Sequence, residues 1–124
     1  DFADWERTYR GLLDQARQAN PALKIVLCTP FAAPCGKIVK GALGEYYPLR
    51  QRILAQCCVI VERIAADYGA TLVPFHRLIA DLETRLPNGD ATYWVWDGIH
   101  PTPAGQRLMA DCWIGAAARS GVME

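Results

Sequence analysis

A chain of 124 residues, 52% hydrophobic and 21% charged, has the length and composition of one ordinary globular domain, which argues against intrinsic disorder. Thirteen basic and thirteen acidic residues cancel without forming a Lys/Arg stripe, so neither nucleic acid nor an anionic membrane surface finds a matching charge. The longest apolar stretches, such as residues 57–61, fall far short of the ~20 residues that cross a bilayer, so no transmembrane segment is expected.

The opening Asp1-Phe2-Ala3-Asp4-Trp5 has no starting Met, basic n-region or apolar h-region to read as a signal peptide, and looks like a chain cut from something longer, which leaves export of the parent open. Phe2, Trp5, Tyr9, Leu12, Leu13, Ala16 and Ala19 recur at three- and four-residue steps until Asn20-Pro21, which predicts an amphipathic helix. Residues 24–29 form a continuous apolar run closed by Pro30, the pattern of a parallel strand buried on both faces. Residues 31–45 carry Gly, Ala, Pro and Lys without a sustained period. They read as a long loop at the C-terminal edge of that strand, where loops commonly shape active sites.

A second helix is expected from about Tyr47 to Tyr68, with Leu49, Ile53, Cys57, Ile60, Ile64 and Tyr68 on one face, Pro48 in its first turn and Gly69 as its stop. Residues 70–75 read as a second strand, and residues 76–86 as a helix with Ile79, Leu82 and Leu86 in phase. Pro87-Asn88-Gly89-Asp90 breaks the chain. After the aromatic segment Tyr93-Trp94-Val95-Trp96, a last helix is predicted with Thr102 as N-cap and Pro103 at its first position. Leu108, Met109, Cys112 and Trp113 should turn inward, and the helix should fray at Gly121.

That order indicates a layered α/β domain with a parallel sheet and right-handed crossovers. Two strands leave both outer edges unpaired and offer the helices too little sheet to cover, so the domain is expected to be incomplete. At about 30 residues per strand-helix-strand step, two or three missing N-terminal strands amount to roughly 60 to 90 residues.

Five cysteines (Cys28, Cys35, Cys57, Cys58, Cys112) are an odd number without framework spacing, which favours reduced thiols and a cytoplasmic setting. There is no CxxC or Cys/His zinc pattern, so no metal site is expected. Cys28 and Cys57 lie in apolar runs and read as small buried hydrophobes.

The densest chemical signal is Asp97-Gly98-Ile99-His100-Pro101-Thr102. A carboxylate three residues before a histidine, in a turn loosened by Gly98 and stiffened by Pro101, can accept the imidazole Nδ1 proton and leave Nε2 free as a general base. The bland alternatives are a capping turn, in which Asp97 folds back on local amides while His100 merely packs, and metal ligation by the pair. Trp94 and Trp96 could line an acyl or sugar pocket or pack on the last helix. His76 reads as a polar surface residue rather than a second base. Cys35 is the one thiol placed to approach His100 from the loop, though nothing in the sequence lowers its pKa.

The string Asp97-Gly98-Ile99-His100-Pro101-Thr102-Pro103-Ala104-Gly105, followed by the apolar helix from Leu108, resembles the last motif block of the SGNH (GDSL-type) serine hydrolases. The preceding helix, strand, helix and strand resemble the latter half of that fold. The resemblance implies a three-layer α/β/α, flavodoxin-like parallel sheet, with residues 1–124 as the C-terminal portion of a single domain. It implies His100 as base and Asp97 as its orienter, no cofactor, and small acyl, sugar or lipid esters as substrates. The family's serine lies in an N-terminal Gly-Asp-Ser block, and a glycine and an asparagine of two intermediate blocks help form the oxyanion hole; none of these blocks occurs here.

Ser120, the single serine, follows His100 by a whole helix, roughly 30 Å along its axis, and is no nucleophile. Asn20 and Asn88 lack the surroundings of the family's oxyanion donor. The chain alone is therefore expected to be nearly inert as an esterase. A reading of a different class is a noncatalytic α/β binding domain whose partner supplies the absent strands; a third is a homodimer pairing open strand edges.

Overall fold

In the computed structural model, which describes residues 1–85 and 91–123, the first side chain caps the first helix. Asp1 accepts a hydrogen bond from the Ala3 amide at 2.8 Å, and helix α1 runs Phe2–Ala19. Strand β1 (Val26–Cys28), a 3-10 turn (Gly36–Val39), the short helix α2 (Gly41–Glu45) and the long helix α3 (Tyr47–Asp67) follow. Strand β2 (Thr71–Val73), α4 (Phe75–Arg85), a second 3-10 turn (Ala91–Tyr93) and α5 (Pro103–Arg119) come after them.

The two strands are parallel, with Val26 opposite Thr71, Leu27 opposite Leu72 and Cys28 opposite Val73. Hydrogen bonds from Thr71 N to Ile25 O (2.9 Å) and from Thr29 N to Val73 O (3.1 Å) extend the ladder at both ends. Helix α3 packs on both strands, α1 lies against α3, and α5 packs against β2. Pro48 and Pro103 stand in the first turns of α3 and α5, where a missing amide hydrogen costs nothing. Gly69, at φ +58°, turns the chain out of α3 toward β2.

Two apolar clusters hold these elements. Ile25 and Leu27 of the β1 segment meet Ile60, Val61, Ile64 and Ala65 of α3, with Tyr9 and Leu13 of α1 closing over them. Each of the buried Ile, Leu and Val side chains contributes on the order of 1.5–3 kcal/mol by leaving water. The second cluster, Ala33, Cys35, Ile79, Ala91 and Val95, joins the loop after β1 to α4 and to the segment before α5. It forms the floor beneath the Asp97 turn.

Both strands are shorter than the apolar runs suggest. The expected featureless loop 31–45 contains the first 3-10 turn and α2. Leu49 and Ile53, predicted on the buried face of α3, are exposed, and burial begins only at Cys58. The cause is length: a 21-residue helix spans about 30 Å, whereas three-residue strands span about 10 Å. The first half of α3 therefore runs past the sheet.

On α5 the buried residues are Gly105, Ala116 and Ala117, while Trp113 is exposed. Small side chains bring that helix close to its neighbours and leave the large one at the rim. Leu86 and the predicted break at residues 87–90 lie outside the described residues. Among the described residues no helix is long and apolar enough to cross a membrane.

Candidate functional site

The segment before α5 folds into a narrow turn closed by an antiparallel bridge between Val95 and Pro101. Trp96 N donates to His100 O at 3.2 Å and Thr102 N to Trp94 O at 2.9 Å, which presents residues 97–100 at the tip. Thr102 anchors the turn to the helix: its hydroxyl donates to Tyr93 O at 2.7 Å and accepts from Gly105 N at 3.1 Å, as the predicted N-cap. Gly98 has φ +92°, and a Cβ there would lie 2.6 Å from Ile38 Cγ1 and 2.7 Å from Cys35 O, so only glycine fits.

The two oxygens of Asp97 do different work. Oδ1 accepts from the Ile99 amide at 3.0 Å and from the His100 amide at 2.8 Å, while Oδ2 lies 2.7 Å from His100 Nδ1. The His100 amide first, then its ring, then the Ile99 amide hold the Asp97 carboxyl well below the usual carboxylate range. An ionised carboxylate only accepts, so Nδ1 is the donor, and a neutral ring held this way carries its lone pair on Nε2. The His100 side chain is 69% exposed and that of Asp97 22%, so the carboxylate is sheltered while the ring faces outward. The capping turn and the braced imidazole, alternatives in the sequence, coexist in one carboxylate.

Beside this turn runs an apolar groove of about 580 Å³. Trp5, Tyr9 and Leu12 of α1, Cys28 at the end of β1 with Thr29 through Phe31 after it, Phe75 and Ile99 line it, so it reaches the residue preceding His100.

The remaining candidates separate. Trp94 packs against the second cluster and stacks edge-on to Tyr93 at 4.7 Å, whereas Trp96 is 62% exposed. Ser120 accepts from Thr71 Oγ1 at 2.7 Å and donates to Ala117 O at 3.1 Å. That puts it beside the start of β2, at the far end of α5 from His100. The Cys35 thiol is buried and donates to Val95 O at 2.7 Å, so it supports the turn from below. Asn20 caps α1 and accepts from the Ala22 amide; Asn88 lies outside the described residues.

His76 departs from the expectation of a surface residue. Its ring is half-buried, with Nδ1 2.8 Å from Thr29 Oγ1 and Nε2 3.7 Å from Glu62. Burial pushes its pKa down. The reason is topological: β1 and β2 end side by side, which sets Thr29 next to the first turn of α4. Sequence reasoning also missed Ala33, whose amide donates to Gly98 O at 2.9 Å, and Gly36, at φ +65° directly beneath Asp97. Their residue types carry no chemical signature, and only the positive φ of Gly36 sets it apart. Among the described residues no group of three or more His, Cys, Asp or Glu is gathered as for a metal ion.

Residues 1–108 match the family model of the GDSL-like lipase/acylhydrolases. The fold is similar to a crystal structure described as a GDSL-like lipase from Parabacteroides merdae, with TM-score 0.74 and 28% identity over 91% of this chain and 48% of that one. It is also similar to a catalytic mutant of an acetylxylan esterase from Geobacillus stearothermophilus, with TM-score 0.70 and 24% identity over 94% of this chain and 47% of that one. The chain thus spans about half the length of these two structures. No curated protein sequence matches it.

Proposed function

Because the chain belongs to the GDSL-like lipase/acylhydrolase family, we propose that it is the acid-base portion of a serine ester hydrolase, with His100 as general base and Asp97 as its orienter. Residues 1–124 form the C-terminal part of one domain in this reading, and polypeptide N-terminal to them carries the serine and the oxyanion donors. The observation that carries the proposal is the 2.7 Å contact from Asp97 Oδ2 to Nδ1 of the exposed His100 ring.

His100 Nε2 takes the proton as the serine oxygen attacks the ester carbonyl. The imidazolium, stabilised by Asp97, returns that proton to the departing alcohol. Water, deprotonated in turn by Nε2, then cleaves the acyl-enzyme, releasing the acid and the free serine. The length comparison supports a nucleophile outside this chain, as does the seating of Ser120 against Thr71 and Ala117. The open groove between α1 and β1 suits a further strand and its connection. The substrates that follow from the family are small acyl, sugar or lipid esters.

Hydrolysis of a p-nitrophenyl ester by the complete enzyme tests the reading. His100→Ala is expected to lower kcat by on the order of 10³-fold, with Asp97→Asn costing as much or less. Wild-type turnover in the His100→Ala enzyme removes that residue from the mechanism. The 124-residue chain alone should stay near background, since base and orienter act here without nucleophile or oxyanion donors; full activity in it would refute a nucleophile supplied from elsewhere.

A further inference from the structure

We propose that Gly36 is a positioning residue for the Asp97–His100 pair, an inference that rests on the reading of that pair as the acid-base machinery. Three residues of one loop grip the turn on either side of Asp97. The Ala33 amide donates to Gly98 O at 2.9 Å, and the buried Cys35 thiol donates to Val95 O at 2.7 Å. Between them, Gly36 lies flat against the backbone of Asp97. A Cβ on Gly36 would fall 2.4 Å from Asp97 Cα, 2.7 Å from Asp97 C and 2.7 Å from Trp96 O.

Those atoms are backbone and cannot swing aside like the end of a flexible side chain. Restoring an ordinary carbon–carbon separation of about 3.5 Å requires the turn to rise by about 1 Å. Asp97 holds His100 through the ring contact and through two amides of the same turn, so lifting its backbone displaces the imidazole relative to any alcohol presented from another part of the fold. A misplacement of about 1 Å can cost on the order of 10² in rate. Gly36 therefore acts through Asp97, by setting the height of the turn.

Gly41 provides the control. It too has a left-handed backbone, at φ +54°, yet a Cβ there meets nothing within 4 Å. In the complete enzyme, Gly36→Ala and Gly41→Ala should both lose stability from backbone strain. Only Gly36→Ala should lower kcat, by tenfold or more with KM within about twofold. It should also weaken or abolish the downfield Nδ1 proton resonance of an imidazole donating to a carboxylate. Equal kcat values for the two variants overturn the inference.

If Gly36→Ala does not fold, Cys35→Ala and Cys35→Ser decide the question. The alanine removes the donor to Val95 O and should lower kcat, while the serine keeps a donor and should restore it; an unchanged kcat in Cys35→Ala overturns the clamp. His100→Ala in the same series separates the two levels. Wild-type turnover in His100→Ala defeats both the function and this inference, whereas a collapse there together with an innocuous Gly36→Ala defeats the inference alone.

Discussion

Asp97 satisfies two backbone amides and one ring nitrogen with a single charge, and these contacts favour its ionised form. Its carboxyl is depressed in the folded chain, so the stability it contributes is fully present above the ordinary carboxylate pKa of about 4 and fades as pH falls through the lowered value. The stability gap between wild type and Asp97→Asn should therefore narrow as pH falls below about 4. Chemical denaturation at a series of acidic pH values checks this; a gap that widens below about pH 4 contradicts the assignment. Ser120 gives a residue-scale contrast. Ser120→Ala should leave the turnover of the complete enzyme intact and cost about 0.5–1.5 kcal/mol by removing the bonds to Thr71 and Ala117.

Among the elements, α3 is the beam on which the others rest. Ile64 is fully buried between the strands and the helices, and Ile64→Ala should cost about 2–5 kcal/mol by thermal or denaturant unfolding. Helix α1 is attached differently, since none of its residues is fully buried. Arg10 reaches Glu6 at 2.8 Å and Asp67 at 2.6 Å and lies over the Tyr68 ring, while Arg63 of α3 pairs with the same Glu6. These groups are partly exposed, so salt screens them. Arg10→Met should lower the unfolding midpoint modestly in dilute buffer, and the difference should shrink toward zero in concentrated NaCl. A difference indifferent to salt would assign the role of Arg10 to packing over Tyr68.

For the whole molecule, the open side of β1 is the dominant feature. Ile25 O and Thr29 N face β2, and alternate residues of a strand direct their backbone groups to opposite edges, so the amides of Val26 and Cys28 face away from β2. The apolar groove lined by Trp5 and Leu12 lies alongside. In the complete domain proposed above, a further strand pairs with that edge. The Val26 and Cys28 amides should then exchange with solvent much more slowly than in the chain alone. Equal exchange in both would argue against a strand at that edge. A concentration-dependent doubling of mass for the chain alone would show a second copy filling the same edge.

The contact between Asp97 and His100 was legible in the sequence because both residues lie within one turn. Asp97 and His100 are three residues apart, Gly98 permits the bend, and Thr102 with Pro103 starts the helix that anchors it. The two strands and four longer helices were legible for the same reason, as periodicity and capping are local properties of the chain. Side-chain burial was not: the patterns of α1 and α3 mark apolar faces, but the extent of sheet beneath them decides how much is covered, which left Leu12, Leu49 and Ile53 exposed. The pairing of His76 with Thr29 and the seat of Gly36 under Asp97 join residues about 50 to 60 positions apart. Local preference thus determined the turn that joins Asp97 to His100, while the parallel pairing of β1 with β2 and the return of the chain before α5 decided what supports it, because contacts between distant segments exist only once the chain has closed on itself.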